Sequence, residues 1–224
     1  MIVLHHLEYS QSFRVLWLLE ELGVEYELKK YNRDPETHLA PEEYKKLSPL
    51  GTAPVITHNN LALAETSAIV EYILDLYPNP EISPLAHSPN RVQHLFWFHA
   101  AQGSMMPLIL MEAIFQIIQE RTPSILNIVI RPVLAKASQG FIKTRMDKLL
   151  EKAEEDLKAN DWFGGKVLTT ADILLSYPIE SASMRGYLSD DYPNTRAWLQ
   201  RIYNRPAFQS AKDKDGRSSM ALPL

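Results

Sequence analysis

Tyr9 to Gly23, YSQSFRVLWLLEELG, places two serine hydroxyls directly ahead of an amphipathic repeat in which Val15, Leu18, Leu19 and Leu22 recur at helical spacing. Gly23 suits the left-handed position that ends a helix, and Glu20 and Glu21 fall on its polar side. Ser10 and Ser12 therefore lie at a helix N-terminus. Unpaired N–H groups and the positive end of the helix dipole converge there, and they stabilise an anion or a thiol that is becoming one. Taken alone, the segment reads first as ordinary capping, the commonest use of serine ahead of a helix.

Reading outward, Ile2 to His5 is a short apolar strand, and Val24 to Leu28 alternates as a half-buried strand does, which makes β-α-β. Residues 32–41 are loop-like, Pro41 to Leu47 forms a short helix entered at its proline, and Ser48 to Pro54 is a second loop rich in turn residues. Pro54 to Thr57 and Leu61 to Leu63 form a hairpin around Asn59-Asn60, since asparagine tolerates positive φ. Ile69, Tyr72, Ile73 and Leu76 mark another amphipathic helix, and Pro78, Pro80, Pro84 and Pro89 punctuate a linker.

Every later period is helical. Ser88-Pro89 opens a long helix with Val92, Leu95, Phe96 and His99 on one face and a kink expected at Pro107. Ile125 to Ala135 reads as a short buried helix or connection. From Ser138 onward Ile142, Met146, Leu149, Leu150, Ala153 and Leu157 form a clear stripe. Thr169 to Asp172 reads as a capping box, with Leu168 and Ile173 as its staple. A last helix runs from about Pro193 to Asn204, followed by Arg205-Pro206 and a polar tail. The order predicts an α+β protein: residues 1–80 with a small mixed sheet, a linker at 81–87, and an all-helical domain over 88–224.

Composition narrows the chemistry. The 224 residues include no cysteine, so disulfides, thiolate metal sites and a cysteine nucleophile are excluded, and any sulfur chemistry must use a ligand's sulfur. Net charge is −4, and residues 1–80 carry six cations against twelve acidic groups, which argues against nucleic acid as a partner. The N-terminus shows no secretory pattern, so a cytoplasmic location is the default, and no apolar run approaches the ~18 residues of a membrane span. Metal binding finds no support: His5 and His6 are strand neighbours on opposite faces, and His94 and His99 stand five apart on a helix. GxGxxG, P-loop and GxSxG patterns do not occur.

Four segments in order carry a resemblance: SxxxR at Ser10 to Arg14, PLGTAPV through Pro54, ETSAI at Glu65 to Ile69, and TTADI from Thr169. With the domain layout, the chain resembles a cytosolic glutathione S-transferase over nearly its full length. HHLEYSQSFRVLWLLEELGVEYEL and HLAPEEYKKLSPLG look most like the serine-type branch shared by bacteria and fungi. The resemblance implies a thioredoxin-like first domain holding glutathione as co-substrate, a helical second domain supplying most of a pocket for apolar electrophiles, and a homodimer. It implies a cis peptide before Pro54 that turns the Val55 backbone toward the cysteinyl unit of glutathione. Glu65 would take the γ-glutamyl ammonium, and Thr66, where the family has serine, the carboxylate. Ser10 would donate to the sulfur, with Tyr9 the alternative and Ser12 a plain cap. His38 lies where some members use histidine near the glycine carboxylate. Thr52 stands where lysine is common, leaving its backbone to serve. Arg14 and Asp172 are assigned to structure. Met105, Met106, Ile109 and Leu110 read either as electrophile pocket or as core. The implied activity is conjugation of glutathione to apolar electrophiles, with glutathione-dependent peroxide reduction beside it. A non-catalytic binding or interaction module of the same fold is the alternative.

Overall fold

The computed structural model describes residues 1–217, 219 and 220. Its first part comprises β1 (Ile2–Leu7), α1 (Ser12–Leu22), β2 (Tyr26–Tyr31), α2 (Glu42–Lys45), β3 (Val55–His58), β4 (Leu61–Ala64) and α3 (Thr66–Leu76). The sheet runs β2-β1-β3-β4. Because α1 carries the chain back along the sheet, β2 pairs parallel to β1, while the two-residue turn at Asn59 (φ 53°) and Asn60 makes β3 and β4 an antiparallel hairpin. β2 starts and ends later than the alternation at Val24 to Leu28 suggests: pairing of Ile2 with Tyr26 through Leu7 with Tyr31 sets its limits.

The second part is helical: α4 (Arg91–Ala100), α5 (Met106–Arg121), α6 (Ser124–Ala137), α7 (Thr144–Ala159), α8 (Thr170–Met184), α9 (Pro193–Tyr203) and α10 (Pro206–Asp215). Wider π-turns over Ala101–Met105 and Ser138–Lys143 join α4 to α5 and α6 to α7. The first lies just ahead of Pro107, where an α-helix lacks a donor and the ring crowds the preceding turn. By length and composition the two continuous rods, 91–121 and 124–159, would also suit a bilayer crossing.

Three expectations are corrected. On α4 the buried residues are His94, Trp97, Phe98 and Ala100, while Val92, Phe96 and His99 face out, because the helix packs on α8 through its wide aromatics. α6 is a full helix with no buried residue, so Ile125 to Ala135 is an exposed apolar surface and not an interior connection. The segment after Arg205-Pro206 is no loose tail: α10 packs against α1, with Phe208 edge-on to Phe13 (5.2 Å) and Trp17 (5.3 Å). Its three buried residues, Phe208, Ala211 and Asp215, are too few and too mixed in character to show as an apolar period.

The capping box at Thr169 is formed, and Asp172 is its hub. The buried carboxylate accepts from Thr169 N–H (2.8 Å), Phe163 N–H (2.8 Å), Trp198 Nε1 (2.9 Å) and the Thr169 hydroxyl (3.1 Å). Gly164 must be glycine here, since a Cβ would stand 2.1 Å from Thr169 Cγ2. α1 lies at the centre of the molecule, with Phe13 through Leu19 buried between the sheet, α3, α8 and α10.

Candidate functional site

The N-termini of α1 and α3 converge. The Thr66 hydroxyl, on the first residue of α3, donates to Gln11 Oε1 at 3.2 Å, and Gln11 is the residue just ahead of α1. Sheet register brings the cis Ala53–Pro54 peptide alongside, because Val55 pairs with His5 on one side and Ala64 on the other, and Glu65 follows directly. Glu65 is exposed with φ 72°, a left-handed backbone that few non-glycine residues adopt. The N-termini of both helices thus face one region; the first N–H groups of α1, on Ser12, Phe13 and Arg14, are already bonded to Ser10 and Gln11, and it is the aligned helix dipoles that favour anionic groups there.

Arg14 braces this region from below. Fully buried, it donates to Leu174 O of α8 (2.7 Å), to Gln102 Oε1 (3.1 Å), to Thr66 Oγ1 (3.4 Å) and to Gln11 Oε1, tying the sheet part to the helical part. It forms no ion pair among the described residues, and burial pushes its guanidinium down to about 9, partly offset by Tyr177, whose ring centre is 5.6 Å away. A buried cation without a carboxylate is costly, and an anion held at the two helix ends would offset that cost.

Ser10 lies just before Gln11, the residue at the cap position of α1. Ser10 Oγ accepts the Ser12 N–H (3.2 Å), and its hydroxyl lies 2.7 Å from both Leu7 O and Ser12 Oγ. Only 5% of the residue is exposed, so the hydroxyl expected to face a ligand is turned inward and engages a sulfur only on leaving the Leu7 carbonyl. Ser12, expected to be a plain cap, is instead fully buried and bonded to His6 Nδ1 at 2.8 Å. Tyr9 is half-buried at φ 49°, with the Arg217 guanidinium 5.7 Å from its ring centre.

His38 and Thr52 are both exposed on loops. The His38 backbone (φ 57°) is fixed by its N–H to Asp34 O (2.8 Å) and by its carbonyl accepting from Arg33 Nη1 (2.9 Å). Arg33 also donates to Glu8 O (3.0 Å) and Tyr9 O (3.2 Å), so one guanidinium fixes the two loops that carry Tyr9 and His38. The sequence reading missed Arg33, and it missed Gln11 and Gln102, whose amides bridge the two parts (3.1 Å). Only Gln11, between two serines at a helix start, stood where a signal existed. The set at 105–110 does not act together: Met105 and Ile109 are core, while Leu110 is 58% exposed. No group of three or more metal-binding side chains occurs among the described residues.

Residues 1–75 match the family described as glutathione S-transferase, N-terminal domain, and residues 122–206 the one described as glutathione S-transferase, C-terminal domain. Glutathione S-transferase 3 of Schizosaccharomyces pombe is 32% identical, the match covering 99% of this chain and 91% of that protein. Glutathione S-transferase 1 of Saccharomyces cerevisiae is 30% identical over 95% and 94% of the two chains. A glutathione S-transferase crystal structure from Actinobacillus pleuropneumoniae superposes with a TM-score of 0.79 at 32% identity, covering 96% of this chain and 93% of that one. With both halves matched, and relatives at this identity aligned end to end, the chain belongs to the glutathione S-transferase family.

Proposed function

We propose that this transferase stabilises the thiolate of its co-substrate glutathione with the Ser10 hydroxyl at the start of α1 and adds it to apolar electrophiles. The observation that carries the reading is the meeting of α1 and α3 at the 3.2 Å Gln11–Thr66 bond, over a buried Arg14 that has no carboxylate partner among the described residues. The γ-glutamyl carboxylate takes the N-terminus of α3 at Thr66, with Glu65 on the ammonium, and the cysteinyl backbone pairs beside the cis Pro54 peptide at Val55. His38, whose ring has no hydrogen bond among the described residues, and the Thr52 backbone serve the glycine carboxylate. Tyr9 is the alternative thiol partner, and its ring has no described contact with Gln11 or Thr66.

An unperturbed thiol near pKa 8.5 is mostly protonated at neutral pH, and each unit of depression corresponds to about 1.4 kcal/mol. Losing one hydroxyl bond to sulfur should therefore lower kcat/KM for a chlorinated dinitrobenzene by about 10-fold at pH 7 in Ser10→Ala, with KM for glutathione little changed. Unchanged turnover would move the role to Tyr9 or the Gln11 amide. Retention on immobilised glutathione without turnover by the wild type would favour a binding-only module.

The reading extends to the serine-type branch of bacteria and fungi, supported by the two yeast relatives, to peroxide reduction as a side activity, to residues 1–80 and 88–224 as the two domains, and to a cytoplasmic homodimer. Support for the dimer comes from the apolar side chains left exposed on α5 and α6.

A further inference from the structure

Behind Ser10 a line of hydrogen bonds runs out of the site into the C-terminal helix. Ser10 Oγ is 2.7 Å from Ser12 Oγ, Ser12 Oγ is 2.8 Å from His6 Nδ1, and His6 Nε2 is 2.7 Å from Asp215 Oδ1. None of the four residues is more than 7% exposed. They come from β1, the start of α1 and the last residue of α10. The assignment of protons along the line follows from its ends. Asp215 accepts from His6 Nε2–H, so Nδ1 is left as acceptor and Ser12 donates to it; Ser12 Oγ then accepts from Ser10 once the Ser10 hydroxyl leaves the Leu7 carbonyl, which lies 2.7 Å from Ser10 Oγ and 3.1 Å from Ser12 Oγ.

We propose that this line takes up the proton of the glutathione thiol, with His6 as its final holder and Asp215 as the group that orients and balances it. The step rests on the placement of the sulfur at Ser10 given above. The thiol S–H bond breaks as Ser10 Oγ gains that proton, the original Ser10 proton passes to Ser12 Oγ, and the original Ser12 proton passes to His6 Nδ1. The net change is one thiolate and one imidazolium, with no proton lost to solvent. The proton returns by the same route to solvent or to the leaving group as the product departs. His6 and Asp215 touch no substrate and act as positioning residues through the two hydroxyls.

The surroundings of His6 fit this task. On β2 its register neighbour is Lys30, whose ammonium is engaged by Lys214 O at 2.9 Å. Glu180 of α8, Tyr203 of α9, Lys212 of α10 and Arg217 line, with Asp215, a cavity of about 190 Å³. Asp215 is the only carboxylate bonded to His6 among the described residues. Ordinary core polarity would be satisfied by any partner for His6. A buried imidazole, oriented by a carboxylate on one nitrogen and joined on the other through the Ser12 hydroxyl to that of Ser10, is a proton path.

The test combines two readings on glutathione binding to the full chain at pH 7 in weak buffer: thiolate formation by ultraviolet difference absorbance, and proton release by an indicator dye. Wild type should form thiolate while releasing well under one proton per thiolate. His6→Gln and Asp215→Asn should shift the bound thiol's apparent pKa upward by about one unit, which is about 10-fold less thiolate below that pKa, and whatever thiolate forms should release one proton each. Rates should recover above about pH 9. Ser12→Ala, which removes the link at His6 Nδ1 and leaves the His6–Asp215 pair in place, should behave in the same way, so the idea remains testable if a His6 variant fails to fold. S-methylglutathione, which has no thiol proton, should bind all variants within about twofold of wild type. One proton released per thiolate by the wild type overturns the relay, as does an unshifted thiol pKa in the folded variants. If Ser10→Ala alone leaves the thiolate unchanged, the placement of sulfur at Ser10 fails instead.

Discussion

His94 shows what a single buried group does to this protein. It is 2% exposed on α4 with Nδ1 unpartnered, and burial, with Arg91 and His99 adding repulsion, pushes its imidazole down to about 4. The folded state therefore keeps His94 neutral while the unfolded chain protonates it near 6.5, so stability falls as pH drops through 6.5 and goes on falling until about 4. At about 1.4 kcal/mol per unit the full effect is roughly 3 kcal/mol. His94→Gln should flatten this part of the acid limb, read as urea midpoints at pH 7 and pH 4.5. Asp172 is the contrasting case: burial raises the pKa of its carboxyl, and the donors on Thr169, Phe163 and Trp198 pull it back. Asp172→Ala strands the Thr169, Phe163 and Trp198 donors and should cost about 3–5 kcal/mol in chemical denaturation, with expression falling before activity per folded molecule does.

Among the elements, α10 governs the site from behind α1. Phe208 packs edge-on against both Phe13 and Trp17, Arg205 forms a bidentate pair with Glu21 (2.6 and 2.7 Å), and Lys214 reaches Glu20 at 2.5 Å. The acidic pair that sequence periodicity puts on the polar side of α1 is thus the fastening for another helix. Phe208→Ala leaves a large void beside α1 and should cost about 3–5 kcal/mol. Because α10 also delivers Asp215 to His6, the same variant should lower glutathione turnover at neutral pH more than at pH 9. A denaturation curve paired with a pH–rate profile checks both. Helices with a strong apolar stripe, α1, α3 and α7, were legible at their own positions, since their burial is one-sided and periodic. α10 was not, because its buried face is one aromatic, one alanine and an aspartate whose partner lies 209 residues away in sequence.

For the whole molecule, the apolar surface of α5 and α6 is the feature that a single chain leaves unresolved. Ile125 is 82% and Ile128 76% exposed, in a helix with no buried residue, and a patch of this kind in a folded domain marks a contact surface. If two copies of the chain pair through this face, as proposed above, Ile128→Asp should weaken dimerisation at least 10-fold, seen as a concentration-dependent shift to monomer in sedimentation, with the fold intact by circular dichroism. The amino-acid sequence by itself determined the β-α-β and hairpin order, the two-residue Asn-Asn turn and the capping box at Thr169, because local spacing is sufficient for each, while the lack of cysteine confined any sulfur chemistry to a ligand's sulfur. Tertiary structure alone decided that Ser10 turns its hydroxyl inward, that Gln11 and Arg14 bridge the two parts, and that Ser12, His6 and Asp215 form one line. These depend on strand register and on where α10 docks, which bring together side chains whose spacing along the chain carries no period.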